Sequence, residues 1–416
     1  MRAHVTYLVI RGVSAFAFTT SFTLSLVYQV QAAGLGPLEL VLVGTTLELV
    51  CFTAQVPTGV LADLYSRKWS VIIGYVLLGF GMTLEGLVPS FGVILAASAV
   101  MGVGFTFVDG AQEAWAVDEL GQERAPAVLV RGGQVGQAAT VAGIGVSVAL
   151  GSLSLFLPLV VAGVILLLFG PVLAVLMREH GFRPVPPDER GSWASMRRQA
   201  ATAVRTSRAD PALLCLLAAL LGAALASEGI DRLSPAHFLT GPGFPAAATP
   251  VIWFGALSAA AMAGAIACTE LVRRTVDLAD AVRVARTLAA LQAACAGAAL
   301  VFALAGDFWL AAFASVCVGM TRQAAHPLIA AWLSQRTEPA TRATVYSLIG
   351  QVDATGQLAG GPPIGLLAER VSIRAALVLV ACLLTAPVVF LIAMARRSRK
   401  LWDSNFGPYE DDRLTH

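Results

Sequence analysis

The sequence predicts an all-α membrane protein of twelve transmembrane helices in two six-helix halves. Three observations carry that prediction: too little polar material to coat a soluble core, apolar runs of bilayer length, and arginines that fall on one side if twelve runs are counted.

The first observation is composition. Of 416 residues, 57% are hydrophobic and 13% charged, against about 25% charged in a soluble domain. The second is run length. About 20 apolar residues span a bilayer as a helix, and lipid tolerates long apolar runs only where the backbone bonds to itself. Such runs lie at about 7–29, 38–60, 70–89, 92–116, 126–151, 155–177, 211–239, 250–272, 281–305, 308–333, 342–367 and 372–395. Short turns rich in Gly and Pro separate most of them, such as 34–37 and 240–245. The long break, 178–209, holds seven arginines with Pro184, Pro186 and Pro187. It divides the chain into an N-terminal half (1–177), a linker (178–209), a C-terminal half (210–395) and a polar tail (396–416). No small-residue cleavage site follows Arg2, so the first run reads as a span and not as a cleaved signal.

The third observation is charge. Of 28 Lys and Arg, 22 fall on one side of this arrangement. Only Arg370 and Arg374 fall on the other, and Arg11, Arg131, Arg232 and Arg322 lie inside spans. The positive-inside rule makes the arginine-rich side, with both termini, cytoplasmic. The net charge of +2 calls for no nucleic-acid partner. Six cysteines lie in apolar runs without CxxC or Cys/His metal spacing and read as small core residues. The halves also echo each other: Gly133, Gln134 and Val135 recur as Gly350, Gln351 and Val352, and Gly143 recurs as Gly360. Parallel repeats with a site at their interface are a transporter design.

Between spans 2 and 3 stands Gly59-Val60-Leu61-Ala62-Asp63-Leu64-Tyr65-Ser66-Arg67-Lys68. This resembles the signature loop of the major facilitator superfamily, and Pro57-Thr58-Gly59 before it looks like the drug-efflux branches. Gly59 suits close helix approach, and Asp63 and Arg67 share a helix face at a spacing of four. The resemblance implies a latch of Gly59, Asp63, Arg67 and an acid at the end of span 4, here Asp118, reaching toward the start of span 11. A degenerate second copy pairs Glu270 with Arg274. The middle of span 4 lacks the arginine of many proton-coupled relatives, and span 5 lacks the antiporter Gly-Pro pattern.

Ionisable residues inside spans are costly and mark cavities or partners. Asp109 and Glu113 stand at i, i+4 on span 4, with Arg131 at matched depth on span 5: a proton-handling cluster or a structural ion pair. Glu48 is an acid in the middle of span 2, either functional or partnered by Arg11. Span 7 carries Glu228, Gly229, Asp231 and Arg232 ahead of Pro235, which reads as a broken helix, with Asp231 and Arg232 pointing to different partners. In span 10, Arg322 has Asp353 of span 11 as a partner, or Asp353 lines the cavity with Gln351 and Gln357. His326 and Gln134 complete the cavity candidates, Glu85 reads as solvated at a span end, and Trp115, Trp253, Trp309 and Trp332 read as interface anchors. Glu48, Asp109, Glu113, Arg131, Asp231 and Asp353 are the candidates for proton coupling.

No ATP-binding loop, HExxH or metal cluster is present, so neither enzyme activity nor cofactor is expected. The expected function is export of a small amphipathic or apolar compound by proton antiport with alternating access. The alternatives are a proton-coupled importer or facilitator and, in another class, a non-transporting receptor or membrane-embedded enzyme. The partners are a small-molecule substrate, protons and the lipid bilayer, with the chain a monomer. Lys68 and Lys400 are the only lysines, a bias that fits a GC-rich bacterial genome and a bacterial inner membrane.

Overall fold

The computed structural model describes residues 3–182, 210–336 and 339–405, with 339–344 and 400–405 as backbone only. The linker arginines Arg183, Arg190, Arg197, Arg198, Arg205 and Arg208, and the tail from 406, lie outside the described residues. Fourteen α-helices and no strands make up the described residues. In the first half these are α1 (Ala3–Gln31), α2 (Pro37–Leu64), α3 (Arg67–Leu87), α4 (Phe91–Val108), α5 (Ala111–Leu120), α6 (Ala125–Leu153) and α7 (Leu157–Leu176). The second half comprises α8 (Pro211–Thr240), α9 (Pro250–Thr275), α10 (Ala281–Leu304), α11 (Phe308–Arg336), α12 (Pro339–Arg370), α13 (Ile373–Leu383) and α14 (Ala386–Asn405). Helices α4 with α5, and α13 with α14, each make one span, which gives twelve.

Ten spans are long and apolar enough to cross a membrane by composition alone. The other two, α11 and α12, are 29 and 32 residues long and carry Arg322 to His326 and Asp353 to Gln357. Caps set the starts. The Ser66 hydroxyl accepts from the Trp69 amide at 3.0 Å, Asp210 from Ala212 at 2.8 Å and Asp280 from Val282 at 2.8 Å. Proline at the first turn opens α2, α6, α7, α8 and α9, where its missing N–H costs nothing.

The same helix pairings recur in both halves. Spans 1 and 5 pack together as α1 and α6, and spans 7 and 11 as α8 and α12. The sequence echo lies at these crossings. A Cβ on Gly143 would meet the Phe16 carbonyl at 2.9 Å, and one on Gly360 would collide with the Leu225 carbonyl. Spans 3 and 6 meet through reciprocal glycines: a Cβ on Gly79 would sit 2.6 Å from the Gly163 oxygen, and one on Gly163 2.7 Å from the Gly79 oxygen. Small residues bring membrane helices this close.

Four expectations change. Span 4 is not one helix: Asp109 ends α4, and Gly110 turns the chain at φ +76° before α5 begins. Asp109 and Glu113 therefore share no helix face. Span 7 is not broken, because α8 runs through Pro235 to Thr240. The helix of span 12 continues past 395 to Asn405. Trp115 and Trp332 are 1% and 0% exposed, so both are core residues and not interface anchors.

Candidate functional site

The halves share an apolar core at one end only. On the arginine-rich face, one cluster draws solely on residues between Tyr7 and Met177, and another solely on residues between Ala212 and Ala395. On the opposite face, Leu24, Val27 and Val41 of the first half pack into a core with Ile230, Phe254 and Ile364 of the second. Glycines allow this closure. A Cβ on Gly44 of α2 would collide with the Glu228 carboxylate and the Arg232 guanidinium, and one on Gly361 of α12 would lie 2.9 Å from Thr45 Oγ1.

Between the halves, toward the arginine-rich face, lies a cavity of about 650 Å³. Phe18, Phe52, Phe105 and Tyr346 line it with aromatic rings, Phe18 and Phe105 lying 5.5 Å apart between ring centroids. Glu48, Asp63, Asp109 and Asp353 give it carboxylates, and none of its described lining residues is Lys or Arg. Gln351 also lines it. A second cavity of about 320 Å³ lies toward the closed face, lined by Glu48, Glu85, Glu228, Asp231, Arg232 and Gln357 among others. Glu48 lines both, and among the described residues neither a hydrogen bond nor an ion pair reaches its carboxylate.

The interior charges pair as follows. Arg232 Nε lies 3.2 Å from Glu228 Oε2 within one helix face, the Glu228 side chain being 5% exposed. Arg322 reaches Asp231 with two bonds, at 2.5 and 2.9 Å, a fork that fixes orientation as well as charge. Asp231 and Arg232 thus point to different partners, as read from their adjacency. Arg322 pairs with Asp231 and not with Asp353. Asp353 instead accepts from Gln357 Nε2 at 2.7 Å and lines the larger cavity, the other reading of that residue.

The signature loop is built as a network. The Arg67 side chain, 16% exposed, bonds the Asp118 carboxylate, donates to the Ala114 carbonyl at 3.2 Å and lies 3.7 Å from Asp63. Ser66 Oγ donates to Glu179 at 2.5 Å, and the Lys68 ammonium donates to the Ala174 carbonyl at 2.8 Å. Glu119 accepts from the His180 and Gly181 amides at 2.6 and 2.7 Å, and Trp115 Nε1 donates to the Arg178 carbonyl at 2.8 Å. Among the described residues no bond from this loop crosses to the second half. Gly59 is exposed on the cavity wall with nothing within 4 Å of an added Cβ, so in this conformation it makes no close helix contact.

Some candidates are not brought together. Arg131 and Glu113 are exposed and line neither cavity, and no ion pair joins them to Asp109 or to each other among the described residues. Arg11 lies beside Gly132 and Gly136 of α6 with no ion pair to Glu48 among the described residues. Gln134 and His326 are exposed and line neither cavity. Sequence reasoning missed Glu85, which is buried and not solvated, at 1% exposure. The signal was the polar row Ser21, Ser25 and Gln29 along one face of α1, which needed a polar partner.

The profile described as Major Facilitator Superfamily matches residues 8–357. No curated protein matches the chain. Among solved structures, nucleoside transporter NupG superposes at a TM-score of 0.75 with 13% identity, covering 95% of this chain and 99% of its own. A bacterial homolog of the human lysosomal transporter Spinster, in an inward-facing and unoccupied conformation, gives 0.72 at 14% identity, covering 96% and 98%. Peptide transporter POT in complex with sulfate gives 0.72 at 12% identity, covering 96% and 95%. At these identities the likeness shows the fold.

Proposed function

From the premise that the chain belongs to the major facilitator superfamily, and is a transporter and not an enzyme, we propose that it exports a small amphipathic compound by proton antiport. The observation that carries this reading is the 650 Å³ cavity between the halves, whose lining interleaves aromatic rings with carboxylates. Aromatic faces and carboxylates together suit a compound with an apolar body and a basic nitrogen. The positive-inside rule makes the open face cytoplasmic, so this conformation is ready to load from the cytoplasm of a bacterial cell. Alternating access then exchanges the open end for the closed one by rocking the halves about the cavity.

In this reading Arg67, Asp63 and Asp118 hold the loop in shape, and the loop latches to the second half when the cytoplasmic side shuts. Glu48, Asp109 and Asp353 are the acids that protons and a cationic substrate would share, because all three line the same space. A carboxylate that takes a proton loses its attraction for a cation, which is the exchange that antiport needs. The chain acts as a monomer.

Proteoliposomes with an imposed pH gradient test the proposal, with the cationic dye ethidium as the first probe. Uphill dye movement that a protonophore collapses is the expected result. Dye equilibration that ignores the gradient would replace antiport with facilitated diffusion. Orientation is tested in a variant lacking the native cysteines. A cysteine at Ala279 should escape an impermeant label in intact cells, and one at Gly306 should react.

A further inference from the structure

Glu85 is a carboxyl group to which the reading above gives no task. It sits near the end of α3, 1% exposed, and lines the smaller cavity. Its Oε1 accepts from Ser25 Oγ at 2.9 Å and from Gln29 Nε2 at 2.8 Å, both on α1. The Tyr28 hydroxyl donates to the Glu85 and Gly86 backbone carbonyls at 2.9 and 3.0 Å, which fixes this end of α3 against α1. Among the described residues no cation pairs with Glu85. Arg232, the base on the same cavity, is taken by Glu228, and Arg322 is taken by Asp231.

A carboxylate removed from water needs a cation or several strong donors to hold its charge. Two neutral donors on one oxygen do not supply that, whereas a neutral carboxylic acid suits the place. Gln29 fits either form. Its Nε2 donates to the carboxylate, and its Oε1 is buried with no hydrogen-bond partner. With the amide turned over, Oε1 becomes the acceptor for an acid O–H, an exchange that coordinates without hydrogens do not distinguish.

We propose that Glu85 is a proton-binding site and that Glu48 is the next carboxylate on the way to the larger cavity; the inference rests on the proton-coupled reading above. The titratable and charged groups facing Glu85 are Tyr28 of α1, Glu48 of α2, and Glu228, Asp231 and Arg232 of α8. Of these, Glu48 alone combines a place on both cavities with the absence of any bonded partner among the described residues. A proton leaving Glu85 converts it to a carboxylate and converts the Glu48 carboxylate to an acid. Loss of that proton into the larger cavity completes the step on the arginine-rich side. Glu85 would be loaded when the opposite face opens, as Leu24, Val27 and Val41 part from Ile230, Phe254 and Ile364.

The test uses the full chain in lipid and infrared difference spectroscopy at neutral pH. Glu85→Gln keeps an acceptor for both donors and is expected to fold. Its difference spectrum against the wild type should show loss of a carboxylic-acid C=O band that Glu48→Gln retains. No such difference for Glu85→Gln overturns the site. In proteoliposomes, Glu85→Gln should lose gradient-driven ethidium accumulation and keep ethidium exchange. Full gradient-driven accumulation in that variant overturns the coupling role. If the wild type itself ignores the gradient, the antiport reading fails, and the infrared result alone decides whether Glu85 holds a proton.

Discussion

In the first half Arg67 is sunk to 16% exposure between two carboxylates and a backbone carbonyl. At the equivalent loop of the second half, Glu270 binds Arg273 and Arg274 at 2.7 and 2.6 Å, but those arginines are 66% and 71% exposed. The acid-then-base spacing of four occurs in both loops. What differs is burial, and burial decides what a charge pair is worth. An exposed pair contributes about 0–1 kcal/mol, whereas removing one partner of a sunken pair strands the other charge away from water. The duplicated backbone therefore carries one structural lock, in the first half. The second half ties its arginine-rich end elsewhere, with Arg336 lying 3.5 Å from Asp210 and over the Trp332 ring at 5.1 Å.

Breaking the lock should have the largest effect. Asp118→Asn leaves Arg67 short of its main partner and should lower stability by about 2 kcal/mol, read as thermal unfolding in detergent, with transport falling strongly. Arg336→Ala should follow at about 1 kcal/mol, since it loses a partly buried pair and a ring contact together. Asp63→Asn should cost less stability, because that carboxylate is 38% exposed and 3.7 Å away. It should still abolish most transport while substrate binding persists, as a latch residue would. Glu270→Gln should change neither quantity measurably. A Glu270→Gln effect as large as that of Asp118→Asn would erase the distinction between the halves.

The spans were legible because apolar run length is a local property, and the signature loop because its residues are contiguous. The missing parts depend on how helices are rotated against one another. Neighbouring spans in sequence offer Asp353 to Arg322 as a partner or to the cavity as a lining residue, and cannot choose between the two. The structure pairs Arg322 with Asp231, ninety-one positions away. Glu85 reads as a span-end residue in sequence because nothing in its own helix reveals that Ser25 and Gln29 cover it. Periodicity alone puts Asp109 and Glu113 on one face because it assumes an unbroken helix, and one glycine at positive φ ends that assumption. Trp115 and Trp332 stood near span ends, where tryptophan often meets lipid, yet each is enclosed by its own half.

The turn at Gly110 has a mechanical meaning. Asp109, before it, belongs to the cavity wall, whereas Ala114, Trp115, Asp118 and Glu119, after it, belong to the platform that grips Arg67 and residues 178–181. A rigid rod would transmit every tilt of the wall to that platform. A rod with a joint transmits pull along its length while each piece keeps its own bearing. Span 4 has such a joint at Gly110, so the cavity wall and the platform are two separate helical pieces of one span.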